Sequence, residues 1–279
     1  MRKMRRPLLR GLFRNISQPV NIDTFALDDV AVARDMEIRS RWNVISSELA
    51  ELRGAANYQA LLEKAKVGLE YLKEIDPMDA PVHCEINLLL ESAQAAYNLN
   101  ELDFSYSLTQ QVLEKIHRIP RGEPLKLYQT LELQGLVQLK QGKSNEAEAS
   151  YNSVLEWIDV TSKREMPMVA VAAQDMRRSV LLGKGLVLEQ KGVASGDVTY
   201  YSKALDCLVA SLNAHVEEND IKSVKLSLLA VLRCFDCLND KEQAMSACEK
   251  YIGWCNKHSD SEGASVGKIK LEELKSKYL

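Results

Sequence analysis

A chain of 279 residues, 46% hydrophobic and 27% charged, has the composition of an ordinary globular protein and the length for one or two domains or one repeat array. Seven prolines and thirteen glycines are too few for a long low-complexity region. No apolar run approaches the roughly 18 residues that span a bilayer.

The net charge of −3 is unevenly placed. Arg2, Lys3, Arg5, Arg6, Arg10 and Arg14 all precede the first acid, Asp23, while Leu8, Leu9, Leu12, Phe13 and Ile16 fall along one side of a helix. An arginine-rich, acid-free amphipathic start resembles a mitochondrial presequence, here residues 1–15 with a cut after Asn15. A basic tail or a surface-binding helix is the other reading. Taking those six cations from 36 leaves 30 against 39 acids, a net charge of −9 for the remainder. Such an acidic body argues against nucleic acid as the main partner, because phosphate binding needs clustered Lys and Arg.

Residues 16–33 lack helical periodicity and read as a linker or arm. From Arg34 to Tyr278 the apolar spacing is helical almost throughout, and no alternating strand pattern occurs. Breaks fall at Gly54-Ala55, Pro77 to Pro81, Pro120 to Pro124, Pro167, Gly192 to Gly196, Asn219-Asp220 and Ser259 to Gly263. Shorter turns lie near Asn98 to Glu101, Gly142 and Asn239. The spacing predicts five hairpins near 34–76, 80–118, 124–161, 168–217 and 220–257, then a closing helix over 264–278. Asp79 and Asp220 are placed to cap helix N-termini. One phrase is written twice: Gly135-Leu136-Val137 with Gly142 seven residues after its first glycine, and Gly185-Leu186-Val187 with Gly192 likewise.

These residues resemble the tetratricopeptide repeat, two antiparallel helices in 34 positions. The match is strongest over 128–161, with Gly135 at the helix crossing, Gly142 in the turn, and Ala147, Tyr151 and Val154 in the second helix. It is weaker elsewhere between 34 and 257. In the second copy Ala204 comes seven residues late, which implies a lengthened loop or helix around Val193 to Thr199. The resemblance implies an all-α solenoid over residues 34–278, with the first helix of each hairpin lining a concave groove. Leu133, Leu136, Leu139, Lys140, Leu182, Leu186, Leu229 and Arg233 are its candidate partner-binding residues. Glu132, Ser179, Glu189, Leu226 and Asp236 align to the same face. Family members that clamp a carboxylate tail use Lys, Asn and Arg where this chain mostly has Leu. A peptide held by burial is therefore expected, or a groove filled by residues 16–33 or the closing helix. Related repeats that read RNA are evenly spaced, and these are not.

Other chemistry finds little support. Cys234 and Cys237, with Cys248 and Cys255 downstream, lack the paired short turns of a structural zinc site. The four histidines are scattered, and no phosphate loop or nucleophile motif occurs. The chain is expected to be noncatalytic, without metal or cofactor. It reads as a scaffold or assembly subunit of a mitochondrial complex with protein partners and no transmembrane segment. The alternatives are a cytosolic peptide-binding adaptor and an RNA-associated organellar factor.

Overall fold

Residues 29–75, 82–119, 123–161 and 167–278 are described by a computed structural model. The expected presequence, the arm up to residue 28 and the Asp79 cap lie outside them. All secondary structure among the described residues is helical. The chain divides into two units, residues 1–51 and 52–279. The described part of the first belongs wholly to α1 (Asp29–Gly54), which begins inside the stretch expected to be a non-helical arm. Its pattern is nearly uniform around the helix, so periodicity gave no warning of it. Met36 and Val44 are exposed on it, and Arg41 pairs with Glu37 one turn back at 3.8 Å.

The second unit continues with α2 (Tyr58–Glu74), α3 (Val82–Asn98), α4 (Leu102–His117), α5 (Pro124–Lys140), α6 (Ser144–Thr161), α7 (Pro167–Ser195), α8 (Thr199–Glu217), α9 (Ile221–Cys237), α10 (Lys241–Lys257) and α11 (Ser261–Tyr278). Each helix from α2 onward packs on the next. The core is correspondingly segmented. Ile86, Leu89 and Ala93 of α3 meet Leu108 and Val112 of α4 and Val137 of α5. The next cluster joins Tyr151, Val154 and Ile158 of α6 to Ala173, Met176 and Val180 of α7. A single helix has one apolar stripe, so each hairpin is covered only when its neighbours are present.

The connections have a common chemistry. Ala56, Asn100, Gly142, Asn219, Asn239 and Ser259 each adopt a positive φ, between 53° and 76°. The following amide then donates to the carbonyl five residues back, as in Asn57 to Leu52, Lys143 to Gln138 and Asp240 to Phe235 (2.8–3.0 Å). This is the Schellman closure, which satisfies carbonyls that the helix end leaves unpaired. At Asn57, Asp220, Asp240 and Asp260 that same residue caps the next helix, its side chain accepting from the amide three residues on. One residue ends a helix and its neighbour starts the next, so the turns stay three residues long.

The repeated glycine phrase resolves into two different structures. Gly142 is the left-handed turn residue (φ +76°), whereas Gly192 remains inside α7 and the turn glycine is Gly196 (φ +71°). From the first glycine of each phrase to the helix end is five residues in α5, Gly135 to Lys140, and ten in α7, Gly185 to Ser195. From the next helix start to its small residue is three in α6, Ser144 to Ala147, and five in α8, Thr199 to Ala204. The seven extra residues are thus five of α7 and two of α8, around a turn of unchanged length. Gly192 is needed for another reason: a Cβ there would lie 2.9 Å from the Tyr201 ring.

Candidate functional site

On one side of the second unit the odd-numbered helices meet directly. α3 touches α5, α5 touches α7 and α7 touches α9, while among the described residues no even-numbered helix touches the next even one. Hairpins that approach on one side and splay on the other expose a face lined by α3, α5, α7 and α9.

Glycines permit the close approach. Tyr151 of α6 is fully buried and lies across both odd helices. A Cβ at Gly135 would stand 2.7 Å from its ring, and one at Gly183 would stand 2.5 Å from its hydroxyl oxygen. The aromatic of one hairpin therefore plugs against the next. In the following hairpin Leu208 replaces it, 2.6 Å from a Cβ at Gly185.

The eight groove candidates separate into three groups. Leu133 (3% exposed) and Leu182 (8%) are core residues, packed within their own chain and offering a partner almost no surface. Leu136, Leu139, Leu186 and Leu229 are half-buried, each packed at the edge of a cluster. Lys140 and Arg233 are exposed, but both have partners in the chain. The Lys140 ammonium sits 4.1 Å from the centroid of the Tyr97 ring, tying α5 to α3. Arg233 donates through Nε and Nη2 to the two Glu189 carboxylate oxygens (2.5 and 2.9 Å), tying α9 to α7. Glu189 is buried, and this paired geometry compensates it. Farther along, Asp236 of α9 accepts from Lys277 (2.6 Å) and from the Tyr278 hydroxyl (3.1 Å) of α11.

Glu132 departs from that arrangement. Its carboxylate accepts from the Ser179 hydroxyl across the α5–α7 joint, and burial pushes its pKa up to about 7 from an ordinary 4.5. The Tyr151 phenol faces it with no hydrogen-bond partner for the hydroxyl, and burial raises that phenol as well, helped by Glu132 and Tyr97. One turn earlier, the buried Gln129 Oε1 also lacks a partner. Alignment placed Glu132 among the residues of the expected groove. It gave no sign of burial, because that depends on how closely the glycines let α7 approach.

Elsewhere the chemistry is modest. Burial pushes the thiols of Cys84, Cys207, Cys248 and Cys255 up, and that of Cys234 to about 12, which disfavours the thiolate that metal or nucleophile chemistry needs. The Cys248 thiol donates to the Gly267 carbonyl at 3.2 Å. Among the described residues no His, Cys, Asp and Glu cluster could hold a metal, and no helix is long and apolar enough to cross a membrane. A cavity of about 360 Å³ at the starts of α3 and α5 is lined by His83, Ile86, Asn87, Glu123 and Lys126, with His83 Nδ1 2.6 Å from Glu123 Oε1. No protein-family model matches the chain, and neither does any curated protein.

Proposed function

We propose that this chain is a noncatalytic scaffold of the tetratricopeptide type that holds a protein partner along the face lined by α3, α5, α7 and α9, as a subunit of a mitochondrial assembly. The observation that carries the reading is the run of half-buried leucines on that face. Leu136, Leu139, Leu186 and Leu229 belong to three successive odd-numbered helices, and all keep part of their surface open. Partial exposure of aligned leucines suits a partner segment bound by apolar burial, worth roughly 25 cal/mol per Å² removed from water. Arg233 and Lys140 hold neighbouring helices in place, so the leucines set affinity more than these cations do. The mitochondrial part of the reading rests on the basic segment 1–15.

Gentle purification of the tagged chain from fractionated cells tests both parts. The expected result is a complex in the mitochondrial fraction that is lost with a Leu136→Gln, Leu186→Gln double variant. Recovery of free monomer alone would contradict the scaffold. A reporter fused to residues 1–30 that stayed in the cytosol would favour a cytosolic adaptor. Salt-sensitive cross-linking to RNA would favour the RNA-associated alternative.

A further inference from the structure

We infer that the partner segment presents a lysine or arginine, flanked by apolar residues, to the Glu132 carboxylate between α5 and α7. This rests on the groove reading above and adds the chemistry of what is bound.

Five acids at other helix joints are matched by cations of the same chain. Glu91 pairs with Arg53, Glu85 with Lys115, Glu148 with Lys191, Glu189 with Arg233 and Asp260 with Lys225. Glu132 is half-buried, as are all of these but the more enclosed Glu189, yet it meets only a neutral hydroxyl, that of Ser179. A carboxylate taken from water without a counter-charge is costly. Two more polar groups wait beside it: the Gln129 Oε1 acceptor from the same helix, and the hydroxyl of Tyr151, a side chain with no exposed surface.

The unmet demand is for a donor carrying positive charge. Water could satisfy the phenol but would leave the carboxylate uncompensated, whereas an ammonium or guanidinium head group can donate to both Glu132 and Gln129. The approach also fits. Glu132 is only half-buried, and Leu136 lies one turn further along α5, so the aliphatic stem of a Lys or Arg can rest on leucine while its head reaches the acid. Charge at longer range acts in the same sense, since residues 16–279 carry 30 cations against 39 acids and attract a basic partner.

The test is selection of a displayed random-peptide library on the full chain. Selected peptides are expected to share a Lys or Arg with apolar neighbours. Their affinity should fall about tenfold or more for Glu132→Gln, the scale of a lost charge pair. Ser179→Ala, which keeps the carboxylate, should retain binding. Peptides that need Leu186, by its loss in Leu186→Gln, but carry no basic residue would overturn this inference and leave the groove reading standing. Selected peptides indifferent to Leu186→Gln, or none selected at all, would overturn both. Circular dichroism and thermal melting of each variant separate lost binding from lost folding.

Discussion

The α5–α6 and α7–α8 hairpins carry the same three residues, Gly-Leu-Val, inside their first helices and finish those helices differently. In the first, a glycine seven positions later ends the helix. In the second, the glycine at the same spacing stays helical against Tyr201 and the helix continues to Ser195. A glycine serves two unrelated physical needs, a positive φ or the absence of a Cβ, and spacing alone does not tell which one applies. What the two hairpins share is the first glycine, whose task in both is close approach of a bulky side chain.

Removing the plug should have the largest effect. Tyr151→Ala empties the space between Gly135 and Gly183 and is expected to lower stability by about 3–5 kcal/mol in urea unfolding. Gly183→Ala, which pushes against the same ring, should cost about 1–3 kcal/mol, and far less in a Tyr151→Leu background. Additive effects of the two changes would show that ring and glycine do not meet.

The joints also differ in charge: Glu189 at α7–α9 is ion-paired, and Glu132 at α5–α7 is not. A carboxyl held near 7 in the fold and near 4.5 when unfolded contributes its full stability below pH 4.5 and loses it as pH rises through 7. The facing groups are the Tyr151 phenol of α6, the Tyr97 phenol of α3 beyond it, and the Ser179 hydroxyl of α7, none of which titrates in that window. Glu132→Gln is therefore expected to gain on the order of 3 kcal/mol over the native chain between pH 4.5 and 8. His215 is buried and held below 6.5 chiefly by desolvation, so its contribution is lost on the acid side and is common to both proteins. A pH-independent difference between them would place Glu132 in water.

Smaller changes test the two glycine roles directly. Gly192→Asn should cost about 1–3 kcal/mol, since the added side chain meets the Tyr201 ring inside a helix. Ala147→Leu, at a site with no exposed surface, belongs in the same range. Gly142→Asn should stay within about 0.5 kcal/mol, because Asn100, Asn219 and Asn239 already hold the equivalent left-handed position in other turns. Equal penalties for the two Asn variants would erase the distinction.

Helix number and most boundaries were legible because apolar periodicity and turn residues agree along the chain. Asn219, Asn239 and Ser259, each followed by Asp, mark three turns twenty residues apart, with a stop signal and a start signal side by side. The start of α1 was not legible, since its apolar residues keep to no face. Nor was the persistence of α7 through Gly192, where a tertiary contact with Tyr201 overrides the local preference for a turn. Site residues divide on the same principle. Alignment to a repeat proposes a face for each residue, and packing decides whether Leu133 is core while Leu136 stays half-buried.

Site-specific photocross-linking of the purified complex tests the central claim most directly. A photoreactive residue would be placed at Lys140, Leu186 or Leu226 on the odd-helix face, or at Val67 on α2 or Val209 on α8, both exposed on even-numbered helices. The account predicts partner adducts from the first three positions and none from the other two. Adducts from Val67 and Val209 with none from Lys140, Leu186 and Leu226 would contradict it.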